Sequence, residues 1–154
     1  MLGESSFTLL REIGTLPLAQ GEDIRVTIEA YRGYRYVSVR RYITTDGFSG
    51  ATRDGLTLTP EIVRVLAPRL AALAADPREV PDGEIGKFAK RQGMCVVVSI
   101  GSFKGRRGLA LRQWQADCGW TKKGIWLPLE KLGEIKALFC KAKEALDEQP
   151  EDDF

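Results

Sequence analysis

The chain has 154 residues, a formal net charge of +2 and 44% hydrophobic residues. No apolar run reaches the roughly 20 residues of a membrane-spanning helix, and no histidine accompanies the three scattered cysteines to complete a zinc site. No P-loop, dinucleotide fingerprint or nucleophile motif is present, and no histidine can act as a base. We therefore expect a cytoplasmic protein without catalytic residues, metal or cofactor.

The charge is distributed unevenly along the chain. Residues 84–146 contain thirteen Lys or Arg and five Asp or Glu, whereas residues 147–154 contain five acids and no base. A basic segment of this kind suits a polyanionic partner. A solvated basic face without a partner is the alternative.

Two segments of the chain repeat each other. Glu12-Ile13-Gly14 returns as Glu84-Ile85-Gly86, and Tyr31-Arg32-Gly33 returns at the same offset as Phe103-Lys104-Gly105. This repetition indicates a duplicated unit of about sixty residues, too small to bury a generous core alone. We therefore predict that the two units pack on each other as a pseudo-dimer within one monomeric chain, with an internal pseudo-two-fold axis.

The predicted domains follow from these boundaries. They are an N-terminal arm (1–11), a first unit (12–75), a linker rich in proline and charge (76–83), a second unit (84–146) and an acidic tail (147–154).

The first unit begins with strand patterns. Ile24, Val26 and Ile28 alternate with polar residues, and Gly33 then marks a turn. The next strand is predicted to bury Val37 and Val39. Its opposite face, directed away from the core, carries Tyr36, Ser38, Arg40 and Tyr42.

A polar loop containing Gly47-Phe48-Ser49-Gly50 precedes a short strand at Leu56 and Leu58. Thr59-Pro60-Glu61 then predicts a helix start, and Pro68 is expected to kink or split that helix. The apolar helical stripes are Ile62, Leu66, Leu70 and Leu73 in the first unit, and Leu132, Ile135, Leu138, Phe139 and Ala142 in the second. The sequence thus predicts an α+β fold of two tandem ββββα units, with the helices between them.

The order of these motifs resembles the transcriptional positive cofactor four coactivators and their bacterial and phage relatives. The first unit carries the resemblance from Ile24 to Glu61, and the second carries a weaker form in Phe103-Lys104-Gly105, Leu111-Arg112 and Lys122 to Leu127. The resemblance implies a curved four-stranded sheet followed by a dimerising helix, with single-stranded nucleic acid lying across two sheets. A single chain would here supply both halves.

The resemblance also implies which residues bind nucleic acid. Its stacking aromatic falls on Tyr31 and Phe103. Its neighbouring cations fall on Arg32, Lys104, Arg106, Arg40, Arg112, Arg53, Lys122 and Lys123, and the family's lysine after the turn glycine falls on Tyr34 in the first unit. The tyrosine at position 34 and the acid at Asp54 depart from that pattern. The second stacking aromatic of the family falls on Ile43 and Gln115 and is lost in both units. Candidate replacements are Tyr34, Tyr36, Tyr42, Trp114 and Trp120, although such aromatics also pack structurally.

The leading hypothesis is a sequence-nonspecific single-stranded-DNA-binding protein of replication, recombination or repair, associated with the nucleoid of a bacterium or phage-infected cell. The tail resembles the acidic tip of single-stranded-DNA-binding proteins, which implies that Asp152, Asp153 and Phe154 recruit replication or repair proteins or compete for the DNA groove. A transcription cofactor acting through protein partners is the alternative. RNA is a further possible ligand, because no residue is identified that reads the 2′-hydroxyl.

Overall fold

Eight antiparallel strands and two α-helices form the computed structural model, which describes residues 7–148. The strands are β1 (Thr8–Pro17), β2 (Glu22–Tyr31), β3 (Tyr34–Thr45), β4 (Phe48–Leu58), β5 (Gly83–Arg91), β6 (Met94–Phe103), β7 (Arg106–Gln115) and β8 (Gly119–Pro128). The helices are α1 (Pro60–Ala71) and α2 (Leu132–Glu148), with 3-10 turns at Pro77–Glu79 and Leu129–Lys131. The α+β class is therefore confirmed.

All eight strands belong to one open sheet with the order β1-β2-β3-β4-β8-β7-β6-β5. The two halves join where Gly55 of β4 pairs with Gly124 of β8. On its other side, a Cβ on Gly55 would lie 2.6 Å from the carbonyl oxygen of Val39 in β3, so glycine is required where β4 approaches β3. The sequence predicted a separate four-stranded sheet in each unit and missed this pairing.

The predicted alternation of buried and outward residues is confirmed in β2, whereas in β3 Tyr36 and Ser38, predicted to face away from the core, are buried along with Val37 and Val39. Val26 pairs with Val39 and Ile28 with Val37, and all four side chains are buried. They pack in one continuous core with Leu56, Leu58, Val96, Val98, Leu109, Leu111 and both helices. In β2 the alternate residues therefore lie on the opposite face of the sheet, where they are half-buried.

The two repeated turns share an uncommon backbone conformation. Arg32 and Lys104 both have a φ of 52°, and the following Gly33 and Gly105 also have positive φ. Two positive φ values in succession fit the tight hairpin turns of twisted antiparallel strands. The turns place Tyr31 and Phe103 at equivalent ends of β2 and β6.

The β3–β4 connection differs from its prediction. Only Asp46 and Gly47 form the turn, whereas Phe48 to Gly50 already belong to β4. The polar loop predicted from Gly47-Phe48-Ser49-Gly50 is therefore part of a long hairpin. The Asp-Gly pair is the hairpin signal that the sequence contained.

Helix α1 begins as predicted, because Thr59 caps it by accepting a hydrogen bond from the backbone N–H of Ile62 at 3.3 Å. Pro68 lies inside the helix without splitting it. Helix α2 buries Leu132, Ile135, Phe139 and Ala142, which confirms the predicted stripe. No helix within residues 7–148 is long and apolar enough to span a membrane.

Each helix contacts the first strand of the other half as well as the other helix. Arg69 of α1 donates to the carbonyl oxygen of Ile85 in β5 at 3.0 Å. Arg11 of β1 pairs with Glu148 of α2 at 2.8 Å. Side chains of each half therefore contact the other half, and the helices contribute to this contact as expected.

Two of the predicted boundaries shift. β1 begins at Thr8, so residues 8–11 belong to a strand and not to an arm. Helix α2 continues to Glu148, so Asp147 and Glu148 are helical and not part of a tail. Asp147 is held there by Arg64 and Lys143, whose hydrogen bonds to its carboxylate lower its pKa.

Candidate nucleic-acid interface

The outward face of β6, β7 and β8 lines an open groove of about 1250 Å³, which we call the β6–β8 groove and which is also bordered by first-half residues, namely Leu18, Ala19, Glu22, Arg41 and Asp54. Small residues line the bottom of the groove, namely Ser99, Gly101, Gly108 and Ala110. They are flanked by large aromatic and basic side chains, namely Phe103, Arg106, Arg112, Lys122, Lys123 and Trp126. The arrangement follows from the strand alternation, because Leu109, Leu111, Ile125 and Leu127 occupy the buried face.

Phe103 is the exposed aromatic at one end of the groove. Its side chain is 61% exposed, and the ammonium of Lys104 lies 5.4 Å from the ring centroid. The positive φ of Lys104 is a conformation that non-glycine residues adopt at a cost, and such strain concentrates at functional sites. A base can stack on this ring while the adjacent ammonium faces a phosphate.

Trp126 is a groove residue that the sequence analysis did not identify as a site. Its indole lies directly over Gly108, where no Cβ would fit, and the guanidinium carbon of Arg106 lies 5.2 Å from its ring. The indole Nε1 is buried without a hydrogen-bond partner. Two sequence signals could have identified it, namely its place between buried Ile125 and Leu127 and the glycine at position 108 of the preceding strand.

Arg112 lines the groove, and Trp120 lies against its side chain. The guanidinium carbon of Arg112 is 4.4 Å from the Trp120 ring centroid, and Trp120 is 49% exposed. The neighbouring Lys122 and Lys123 are both exposed. Three pairs of an aromatic ring and a cation thus lie on β6 to β8, namely Phe103 with Lys104, Trp126 with Arg106 and Trp120 with Arg112.

The predicted strand arginines belong to one row across the sheet. Arg40 pairs with Gly55, Gly55 with Gly124, and Gly124 with Arg112. The guanidinium of Arg40 is half-buried and donates to the carbonyl oxygen of Thr52 at 3.2 Å, while Arg53 is exposed. Arg40 and Arg112 therefore flank the glycine pair that joins the two halves.

The outward side of β2, β3 and β4, which we call the β2–β4 face, has a different environment. The ring of Tyr31 stacks on Phe7 with centroids 4.6 Å apart, and Arg32 lies 5.2 Å from the same ring. Tyr36 is only 7% exposed, and its hydroxyl accepts a hydrogen bond from Arg91 at 3.0 Å. The prediction of an outward stacking ring at Tyr36 is therefore wrong, whereas Tyr34 is 66% exposed.

Tyr42 and Trp114 are both half-buried. Arg25 lies 4.2 Å from the Tyr42 ring, and Lys87 lies 5.7 Å from the Trp114 ring. Trp114 borders a shallow depression at the β5–β6 turn rather than the β6–β8 groove. The structure thus separates these two rings from Phe103, Trp120 and Trp126.

The β6–β8 groove contains ion pairs as well as unpaired cations. Arg41, which borders the groove from the first half, pairs with Asp54 at 2.6 Å and Glu22 at 3.0 Å, and the hydrogen bond that it donates to Asp54 raises its pKa. In the β6–β8 groove, Arg106 pairs with exposed Glu130 at 3.1 Å. Among the described residues, no carboxylate lies within ion-pair distance of the remaining cations, namely Lys104, Arg112, Lys122 and Lys123. Cations without an ion-pair partner among the described residues are therefore present on β7 and β8, as they are at Arg32, Arg40 and Arg53 of the first half.

No group of three or more potential metal-ligating side chains is assembled in the part of the chain from Phe7 to Glu148. The predicted partner-binding residues Asp152, Asp153 and Phe154 lie outside the described residues.

A comparison of the sequence with models of known protein families finds no match, and a comparison with curated proteins finds none either.

Proposed function

We propose that this protein binds single-stranded DNA without sequence specificity and that the β6–β8 groove is its main contact surface. The observation that carries the proposal is that the rings of Phe103 and Trp126 line one open groove together with cations that have no ion-pair partner among the described residues, namely Arg112, Lys122 and Lys123. Aromatic rings stack on the faces of unpaired bases, and arginine and lysine follow the phosphates. In a duplex, the faces of the bases are stacked on neighbouring base pairs and are not accessible, so these rings favour binding to a single strand.

The lack of sequence specificity follows from the same groove. Stacking contributes about 1–3 kcal/mol per base and accepts any base. Bidentate readout of base edges relies on Arg, Asn or Gln aimed at those edges. The groove's arginines instead lie over the rings of Trp126 and Trp120.

We also propose that the two repeats are ββββα units packed as an intramolecular pseudo-dimer. The strand order runs inward from β1 to β4 and outward again from β8 to β5, which supports this interpretation. Each helix contacts the first strand of the other half, as expected of two units that complete each other's core. The resemblance to the positive cofactor four family supports the same arrangement.

In a bacterial or phage-infected cell, this activity serves replication, recombination or repair, where single strands are exposed. We propose that the acidic residues at the end of the chain recruit proteins of those processes. A protein truncated after Glu148 keeps Asp147 and Glu148, which belong to α2. This truncation, which deletes residues 149–154, should abolish the pull-down of such proteins. A pull-down that captures transcription proteins instead of replication or repair proteins would favour the transcription-cofactor hypothesis.

The proposal is tested by fluorescence anisotropy with labelled single-stranded DNA, double-stranded DNA and RNA of the same mixed sequence, each at two salt concentrations. We expect the tightest and most salt-sensitive binding to single-stranded DNA. Equal binding to RNA would broaden the ligand class to single-stranded nucleic acid. Preference for the duplex, or binding to none of the three, would contradict the proposal.

A further inference from the structure

Lys90, at the end of β5, lies where the two outward faces meet. Its ammonium donates to the hydroxyl of Thr57 on β4 and to the side-chain carbonyl of Gln113 on β7, each at 2.9 Å. Both acceptors are neutral. No carboxylate among the described residues lies within ion-pair distance of this partly buried ammonium.

The charged neighbours of Lys90 are cations. Burial, Lys123 of β8 and Arg91 of β5 together lower the pKa of Lys90 to about 8. Thr57 and Gln113, from the other packed strands, contribute no charge, and Arg91 itself donates to the hydroxyl of Tyr36 on β3. Positive charge is therefore gathered here without an internal counter-ion.

The fold itself does not require a lysine at this position. At the equivalent place in the first repeat, the chain has Leu18, which packs against the core. A leucine avoids the cost of partly burying an ammonium beside other cations. The lysine is therefore better explained by a ligand than by packing.

The available hydrogen-bond donors fit an oxyanion. A lysine ammonium has three donors, of which Lys90 uses two, and an arginine guanidinium has five, of which Arg91 uses one on Tyr36. A phosphate can take the remaining donors and supply the missing negative charge.

We propose that Lys90, Arg91 and Lys123 form a phosphate-binding subsite that holds one backbone phosphate of the bound single strand. The inference rests on the proposed function and extends it, because Lys123 lines the β6–β8 groove whereas Thr57 and Tyr36 belong to the β2–β4 face. A strand held here passes from one face to the other at the junction of the two halves.

Binding of a phosphate beside Lys90 favours its protonated form and returns its pKa toward the ordinary value of about 10.4. Binding is therefore coupled to proton uptake above pH 8. The affinity stays high below the pKa of the free protein and falls as the pH rises through it. From pH 7 to pH 9 this coupling predicts about a tenfold loss of affinity.

The first test titrates an oligothymidylate into the full-length protein at pH 7 and pH 9 and constant salt. The affinity of the wild type should fall about tenfold from pH 7 to pH 9. The affinity of Lys90→Arg should be nearly independent of pH, because a guanidinium stays charged. Lys90→Gln should bind more weakly at pH 7 and show little pH dependence. Lys141→Gln is the control, since it removes one charge from the exposed surface of α2 outside the subsite, and it should keep the wild-type pH profile. A wild-type affinity and pH profile in Lys90→Gln would overturn the subsite.

The second test follows the titration of Lys90 in the wild-type protein by NMR of its ε-carbon, so that it needs no variant to fold. The oligonucleotide should raise the Lys90 pKa by at least one unit, and inorganic phosphate, as the other source of the same chemistry, should raise it less. A Lys90 pKa unchanged by a bound oligonucleotide would overturn the subsite and leave the proposed function intact. If the oligonucleotide binds nowhere, the proposed function fails, and the inorganic-phosphate titration alone supports the subsite by a raised pKa or overturns it by an unchanged one.

Discussion

Phe103 and Tyr31 occupy the same position of the repeated motif, yet their rings have different surroundings. Phe103 is largely exposed, whereas one face of Tyr31 is covered by Phe7. A base can reach Phe103 directly but must displace Phe7 to stack on that face of Tyr31. At the residue scale, the two repeats are therefore unequal in their capacity to stack.

Replacing Phe103 with alanine should weaken single-strand binding by about 1–3 kcal/mol, the value of one stacking contact. Tyr31→Ala should have a clearly smaller effect, because much of its ring is already in contact within the protein. Anisotropy titrations at several salt concentrations measure both variants. The salt dependence should be unchanged in each, since stacking releases no counterions. Equal losses in the two variants would contradict the inequality of the repeats.

The groove cations make a different prediction. Changing Arg112, Lys122 and Lys123 together to glutamine should flatten the plot of log affinity against log salt, by about 0.7 for each lost phosphate contact. Lys141→Gln, on the exposed surface of α2, provides a control with no expected change in slope. A triple variant with the wild-type slope would show that the phosphates are bound elsewhere.

The sequence allowed part of this site to be predicted. The exposed ring at Phe103 and the cations of β7 and β8 follow from local motifs and strand alternation. The coverage of Tyr31 by Phe7 and the burial of Tyr36 under Arg91 involve residues distant along the chain, so no local pattern indicates them. Lys90 was missed for the same reason, because its neighbours come from β4, β7 and β8.

At the scale of elements, the two glycines paired at the junction of β4 and β8 lie close to the backbones of β3 and β7. A Cβ on Gly55 would lie 2.6 Å from the Val39 carbonyl oxygen, and a Cβ on Gly124 would lie 2.8 Å from the Leu111 carbonyl oxygen. Both contacts are with the backbone of the neighbouring strand, which cannot move aside as a side chain does. These two positions therefore exclude larger residues.

Gly55→Ala and Gly124→Ala should each destabilise the protein by about 1–3 kcal/mol, as overpacked sites do. A loss of 1 kcal/mol corresponds to a decrease in Tm of about 2–4 °C for a chain of this size, which thermal unfolding by circular dichroism detects. Gly101→Ala is the matched control, because Gly101 also lies within a strand but has no atom within 4 Å of the added Cβ. Wild-type Tm values for both junction variants would contradict the close approach.

The strands and helices themselves were largely predictable, since Ile24, Val26 and Ile28 alternate and Thr59-Pro60 starts α1 as the local rules require. The joining of β4 to β8 was not predictable in that way. Gly55 and Gly124 are far apart in sequence, and a glycine in a strand pattern indicates a close approach without identifying the partner.

At the scale of the whole molecule, the contacts of α1 with β5 and of α2 with β1 make each half dependent on the other. One core cluster includes residues of both halves. We therefore predict a single cooperative unfolding transition rather than two.

The tyrosines and tryptophans of the chain report separately on the unfolding of the two halves. All four tyrosines lie in β2 and β3, and all three tryptophans lie in β7 and β8. Tyrosine absorbance, tryptophan fluorescence and far-ultraviolet circular dichroism should give the same urea midpoint. Separate tyrosine and tryptophan midpoints would show that the halves unfold independently.

The central claim is that a single strand binds in the β6–β8 groove, and the tryptophan fluorescence of the full-length protein tests it most directly. Trp120 and Trp126 lie beside the groove cations Arg112 and Arg106, whereas Trp114 lies under Lys87 outside the groove. Oligothymidylate should quench the fluorescence saturably, and Trp126→Phe and Trp120→Phe should each reduce the quenching more than Trp114→Phe, because Trp114 borders the depression lined by Lys90 and Arg91 and not the β6–β8 groove. Binding detected by anisotropy without any quenching, or quenching that depends on Trp114 alone, would contradict the claim.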